Sequence, residues 1–183
     1  MLAAFEKPEI RNLIRPISIE EYYKIFGNEK TELIEGLVYY KMPKTALHSA
    51  AIRILSDYLR MTAGLGYSVM TENPVRIGNS EPEPDIAIVE PLKSLKDPHP
   101  TFAHLIIEIS VTTQVFDEAK AEIYAKGNIP MYWNILPEEK ITVVYSDPGA
   151  GAYKKTERVP FDRELNFFAN GKNYAILLAD VLK

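Results

Sequence analysis

The chain has 183 residues, 46% of them hydrophobic and 25% charged, which is enough apolar side chain for a sizeable core and suggests one domain. It has no cysteine and three scattered histidines, which excludes disulfides and thiolate zinc sites and directs any metal toward oxygen ligands. The formal net charge of −4 is not the footprint of a broadly basic nucleic-acid binder, although Lys41, Lys44, Arg53, Arg60 and Arg76 remain available for a local positive rim.

In chain order, Ser18-Ile19-Glu20-Glu21 matches a capping box and predicts a helix over 19–26 that stops at Gly27. Residues 31–42 read as a hairpin, Glu32-Leu33-Ile34 and Leu37-Val38-Tyr39-Tyr40 around a tight Glu35-Gly36 turn. Over 45–63, Leu47, Ala51, Ile54, Leu55, Tyr58 and Leu59 recur at helical spacing, so this is expected to be the longest helix, ended by Gly64 and Gly66. Strand segments follow at 67–71 and 75–77, broken by Asn73-Pro74, and residues 91–100 form a Lys- and Pro-containing loop. A helix is expected over 117–126 with Gly127 as its stop, then strands at 131–136 and 141–146. Asp147-Pro148-Gly149-Ala150-Gly151 is a turn, residues 153–159 a further strand, and 175–182 a small terminal element. No apolar run approaches the roughly 20 residues needed to span a bilayer, and Met1 to Phe5 is too short for a signal peptide. A soluble cytoplasmic protein with no membrane partner is the expectation.

Two acids stand where folding alone gives little reason for them. His104-Leu105-Ile106-Ile107-Glu108-Ile109-Ser110 reads as a strand covered on both faces, interrupted by Glu108. A carboxylate taken out of water costs several kcal/mol unless it is paired, hydrogen-bonded, protonated or bound to a metal. Glu81-Pro82-Glu83-Pro84-Asp85 leads into the apolar Ile86-Ala87-Ile88-Val89, so Asp85 stands at the mouth of a second buried strand. If the strands are neighbours, Asp85 and Glu108 approach within a few ångströms, where a divalent cation would relieve both. The competing reading has Asp85 simply starting a strand and Glu108 paired with a lysine or arginine. Lys120 and Tyr124, four apart, share a helix face, and that face brings a cation to the acids if it turns toward the sheet.

These residues resemble a known pattern. Pro84-Asp85, Glu108 inside an apolar strand and a following lysine resemble the signature of the PD-(D/E)XK nuclease superfamily. Glu32-Leu33-Ile34-Glu35-Gly36, Ile107-Glu108-Ile109-Ser110, and Lys120-x-x-x-Tyr124 followed by Gly127-Asn128-Ile129-Pro130-Met131-Tyr132-Trp133 resemble the Uma family of restriction-endonuclease-like proteins, the DUF820 type. The resemblance covers nearly the whole chain. It implies an α/β (α+β) fold with a mixed central sheet flanked by helices, its core over about 45–136, an N-terminal helix and hairpin over 17–42, and C-terminal strands over 141–159. It also implies a Mg²⁺-dependent (or Mn²⁺-dependent) endonuclease acting on nucleic acid, DNA first, as a homodimer. Asp85, Glu108 and Lys120 take the catalytic positions, with Asp85, Glu108 and Glu32 toward the metal and His48 toward substrate. The superfamily lysine two residues after the second acid is replaced here by Ser110, and Lys120 takes its place from the next helix. Two other classes compete. A non-catalytic nuclease-like module would use the acids as a structural cation site, and a glycosidase would need one of the pair kept protonated, which a neighbouring Lys120 opposes.

Overall fold

The computed structural model describes residues 15–63, 66–91, 93–94, 96–111 and 114–183. The expectations for Met1 to Phe5 and for Gly64 lie outside these residues. Helix α1 (Ile19–Phe26) begins with the capping box in place: Glu21 N–H donates to Ser18 Oγ at 3.1 Å, and Ser18 N–H donates to Glu21 Oε2 at 2.9 Å. Strands β1 (Thr31–Ile34) and β2 (Leu37–Tyr40) form the hairpin, and the positive φ of Glu35 (50°) and Gly36 (79°) is what a two-residue turn of the right hand demands.

A six-stranded sheet runs in the order β3 (Ser68–Thr71), β4 (Ile86–Val89), β5 (Leu105–Ile109), β6 (Met131–Leu136), β7 (Ile141–Gly149), β8 (Ala152–Pro160). All neighbours are antiparallel except β5 and β6, which are parallel and joined through helix α3 (Gln114–Lys126). Helix α2 (Ala46–Ala63) covers one face. There Ala51, Ile52, Leu55 and Leu59 meet Ile86, Ile88, Leu105, Ile107, Ile109, Trp133 and Ile135. A separate hairpin of β9 (Glu164–Ala169) and β10 (Lys172–Leu177), followed by the short α4 (Leu178–Val181), closes that side with Leu165, Phe167, Ile176 and Leu178. Against the other face, Ile123 and Tyr124 of α3 pack with Ala87, Ile106 and Tyr132. The result is a mixed central sheet flanked by helices. No helix among the described residues is long and apolar enough to cross a membrane.

Several expectations shift. The segment 75–77 is not a strand, because its three N–H groups donate to carbonyls of Pro82, Pro100 and Ser80, and no single neighbour receives them as a ladder. In α2 the core-facing stripe is 51, 52, 55 and 59, which leaves Leu47 and Ile54 at 43% and 37% exposure. The turn predicted over 147–151 narrows to Ala150-Gly151, both at positive φ, while Pro148 stays in β7 opposite Tyr153. Pro148 is tolerated there because β6 pairs with β7 only as far as Ser146, so no inner neighbour needs its missing N–H. Helix α3 begins at Gln114, three residues ahead of its expected start. Strand β9 was not read from the sequence, and the terminal element resolves into the end of β10 plus α4.

Candidate active site

Strand register brings the two acids together. Antiparallel pairing of β4 and β5 matches Ile86 with Ile107 and Ala87 with Ile106, so one further step sets Asp85 opposite Glu108 on the face that carries Ala87 and Ile106. That is the α3 face. The contacts follow: Asp85 N–H donates to Glu108 Oε2 at 3.2 Å, and Ile109 N–H donates to Asp85 Oδ2 at 2.7 Å. From α3, Lys120 Nζ and Tyr124 Oη both reach Glu108 Oε1, at 3.0 and 2.8 Å. The four-residue spacing puts both groups over one carboxylate oxygen.

Glu32 of β1 enters from the hairpin. Its Oε1 lies 3.1 Å from Lys120 Nζ, and its Oε2 accepts Glu83 N–H at 3.2 Å. Lys120 therefore bridges Glu32 and Glu108, and the structure brings Glu32 to the lysine. Among the described residues, no three His, Cys, Asp or Glu side chains form a ready-made metal cluster. His48, in the first turn of α2, places Nε2 3.0 Å from Asp85 Oδ2. An ionised carboxylate only accepts, so toward an ionised Asp85 it is Nε2–H that donates, and the buried Nδ1 has no protein partner among the described residues. Lys126, on the same helix as Lys120, instead pairs with Glu35 and Glu122 at 2.6 and 2.8 Å.

The electrostatics are those of crowded, dry anions. Glu108 is 3% exposed, and burial, opposed by Lys120 and reinforced by Asp85, Asp117 and Glu32, pushes its carboxyl up to about 8. Burial alone would lower Lys120. Glu108, Glu32 and Asp117 outweigh that and hold the ammonium above the ordinary lysine range. Burial and Glu108 likewise hold the Tyr124 hydroxyl in its protonated, donating form.

A second buried layer lies behind the first. Ser110 Oγ is 2.7 Å from Asp117 Oδ2 and 2.5 Å from Asn134 Oδ1, and Asn134 sits beside Glu108 in the parallel β5–β6 register. Sequence reasoning singled out Ser110 but not Asn134. It also did not pair the alternating acids of 81–85 with cations from other elements. Arg76 and Tyr23 serve Glu81, Lys41 serves Glu83 at 2.5 Å, and His48 serves Asp85. The period-two spacing of those acids was the available signal, since alternate residues of an extended segment share a face.

A family model described as "Putative restriction endonuclease", that of Uma2, matches residues 19–169, a span that includes every residue of the site. The chain belongs to the Uma2 family. Among solved structures it resembles one described as "a putative nuclease belonging to DUF820", from Anabaena variabilis ATCC 29413, at 22% identity. The TM-score is 0.67, over 82% of this chain and 88% of that one, which shows a shared nuclease-like fold. No curated protein matches. Asp85, Glu108 and Lys120 thus stand together, on neighbouring elements, in a chain of the Uma2 family.

Proposed function

We propose that this protein is a Mg²⁺-dependent endonuclease that hydrolyses phosphodiester bonds of DNA. The observation that carries the reading is the pairing of Asp85 and Glu108 beneath a buried lysine. Three carboxylates (Glu32, Asp85, Glu108) against one ammonium (Lys120) leave two negative charges in excess when all are ionised. A hard cation offsets that excess, and Mg²⁺ needs only one or two protein carboxylates because water and substrate phosphate supply its other oxygens. The donor set fits: all oxygen, with no thiol and no second imidazole nearby.

Asp85 and Glu108 would hold the ion. Glu108 Oε1 accepts from both Lys120 and Tyr124, whereas Oε2 accepts only the longer Asp85 N–H contact at 3.2 Å, so Oε2 is the oxygen that would be more open to an ion. Strand geometry sends the Ile109 carbonyl to the same edge of β5 as its N–H, which donates to Asp85, so this carbonyl would add a neutral oxygen donor. When bound, the cation supplies an activated water nucleophile and neutralises charge developing on the phosphate. Lys120 fixes Glu108 through one oxygen and adds positive charge beside the reacting group. His48 holds the Asp85 carboxylate through Oδ2, so its role toward substrate is exercised through that residue. A cytoplasmic homodimer suits this activity, since two cuts on a duplex match two copies of one site.

The test is supercoiled plasmid cleavage in Mg²⁺ and in Mn²⁺, alongside calorimetric titration of Mn²⁺. Wild type should cut, and Asp85→Asn and Glu108→Gln should each lose at least 10²-fold in rate, with weakened Mn²⁺ binding. Mn²⁺ binding without cleavage of DNA or RNA by wild type would reject the enzyme in favour of a nuclease-like binding module.

A further inference from the structure

The cations available for a positive rim are not spread evenly over the surface. Lys44, Arg53 and Arg60 line one cavity of about 260 Å³ between α2 and the edge strand β3, where Ser49 and Thr71 add hydroxyls and the buried Ser56 accepts from Arg60 and so orients it. Ser49, Arg53, Ser56 and Arg60 recur at spacings of four, three and four, which is one stripe along a helix. The stripe covers eleven residue-to-residue steps, roughly 16 Å at about 1.5 Å per step. Four or five steps of a B-form strand, each rising about 3.4 Å, cover the same length.

One end of this groove abuts the acid pair. Thr71 pairs with Ile86, and Glu72 N–H donates to the carbonyls of Pro84 and Asp85 at 3.1 and 3.2 Å. His48, next to Ser49, touches Asp85, and Lys44 lies within electrostatic reach of both Asp85 and Glu108. Arg53 is exposed and has no acidic partner among the described residues. The two acids in the lining pair with cations at solvent-accessible positions: Asp57 lies 3.3 Å from Arg60, both exposed, and Glu72 contacts a part-exposed Lys44. Such pairs contribute about 0–1 kcal/mol, so phosphates replace them at little cost. Among the described residues the lining has no aromatic ring on which a base would stack, and cations with hydroxyls are the donors that contact phosphate oxygens.

Resting on the nuclease reading above, we infer that the groove along α2 is a track for the sugar–phosphate backbone of the substrate. It leads one strand of DNA to Asp85 regardless of base sequence. The acidic net charge is no obstacle, because the track needs only local positive charge along one stripe.

The experiment is fluorescence anisotropy of full-length protein with a fluorescein-labelled 20-base-pair duplex, in EDTA, over a salt series, with a second duplex of unrelated sequence. For Arg53→Gln with Arg60→Gln, affinity should fall at least tenfold on both duplexes. The slope of log K against log salt should shrink by about 1.8, from 0.9 per lost phosphate contact. Arg53→Gln alone, at an exposed residue without an acidic partner among the described residues, should show half that change. The control, Lys154→Gln with Lys155→Gln, removes equal charge from β8 at the opposite edge of the sheet and should leave slope and affinity unchanged. Equal slopes in wild type and the arginine variants, equal losses in the control, or a loss confined to one duplex each overturn the inference. A wild type that cuts plasmid but does not bind through this groove leaves the nuclease reading standing. One that neither binds nor cuts overturns both.

Discussion

Glu108 is where the cost of the site is concentrated. Its folded-state pKa is raised from 4.5 to about 8, so between those values the cation-free folded protein binds a proton that the unfolded chain releases. Stability changes with pH as the protons bound unfolded minus those bound folded, and here that difference is negative. The Glu108 contribution is therefore fully present below about pH 4.5 and is lost as pH rises through 8. Lys120 does not mask this, because its own raised pKa makes a contribution that is constant until pH exceeds the ordinary lysine value. In EDTA, urea unfolding should show wild type losing on the order of a few kcal/mol between pH 5 and pH 8 relative to Glu108→Gln, which has no carboxyl to titrate. Parallel stability curves for the two proteins would mean that Glu108 is ionised throughout, compensated by Lys120 alone.

At the scale of elements, the hairpin that carries Glu32 is fixed by its turn. Gly36 sits at φ 79°, and a Cβ there would fall 2.5 Å from Pro16 Cβ and 2.8 Å from Asn79 Nδ2. Its N–H donates to Asn79 O, and its carbonyl accepts from Ile17. Gly78 also has a positive φ, 57°, yet a Cβ there meets nothing within 4 Å. Gly36→Ala should thus cost about 2–4 kcal/mol, backbone strain plus overpacking, whereas Gly78→Ala should cost about 1 from strain alone. Equal shifts in the urea midpoint would show that the contacts around Gly36 yield freely. The turn itself was legible, because Glu35-Gly36 between two apolar runs needs residues that accept positive φ. So were α1, from its capping box, and the acid pair, from charge inside an apolar strand. Elements whose signal is tertiary were not. β9 alternates buried and exposed positions from Glu164 to Ala169, yet its buried Leu165 and Phe167 have meaning only against α2 and Trp133. Asn134 reads as one polar residue in a strand until the parallel register sets it beside Glu108.

Across the whole molecule, the site draws on pieces far apart in sequence: Glu32 from the hairpin, His48 from α2, Asp85 and Glu108 from adjacent strands, and Lys120 and Tyr124 from α3. Unfolding any of these elements disperses the carboxylates, so a cation held by Asp85 and Glu108 binds the folded chain and not the unfolded one. Such a ligand stabilises by RT ln(1 + [L]/Kd), about 2.7 kcal/mol at a hundredfold excess over Kd. For a chain of this length each kcal/mol moves Tm by roughly 2–4 °C, so saturating Mn²⁺ should raise Tm by about 5–10 °C relative to EDTA. Asp85→Asn should lose most of that rise. Lys154→Gln, on the far edge strand, should keep all of it, which separates occupation of the site from diffuse binding of a cation to an acidic surface. A rise of the same size in all three proteins would place the ion elsewhere on the chain and leave Asp85 and Glu108 as acids satisfied by protein hydrogen bonds.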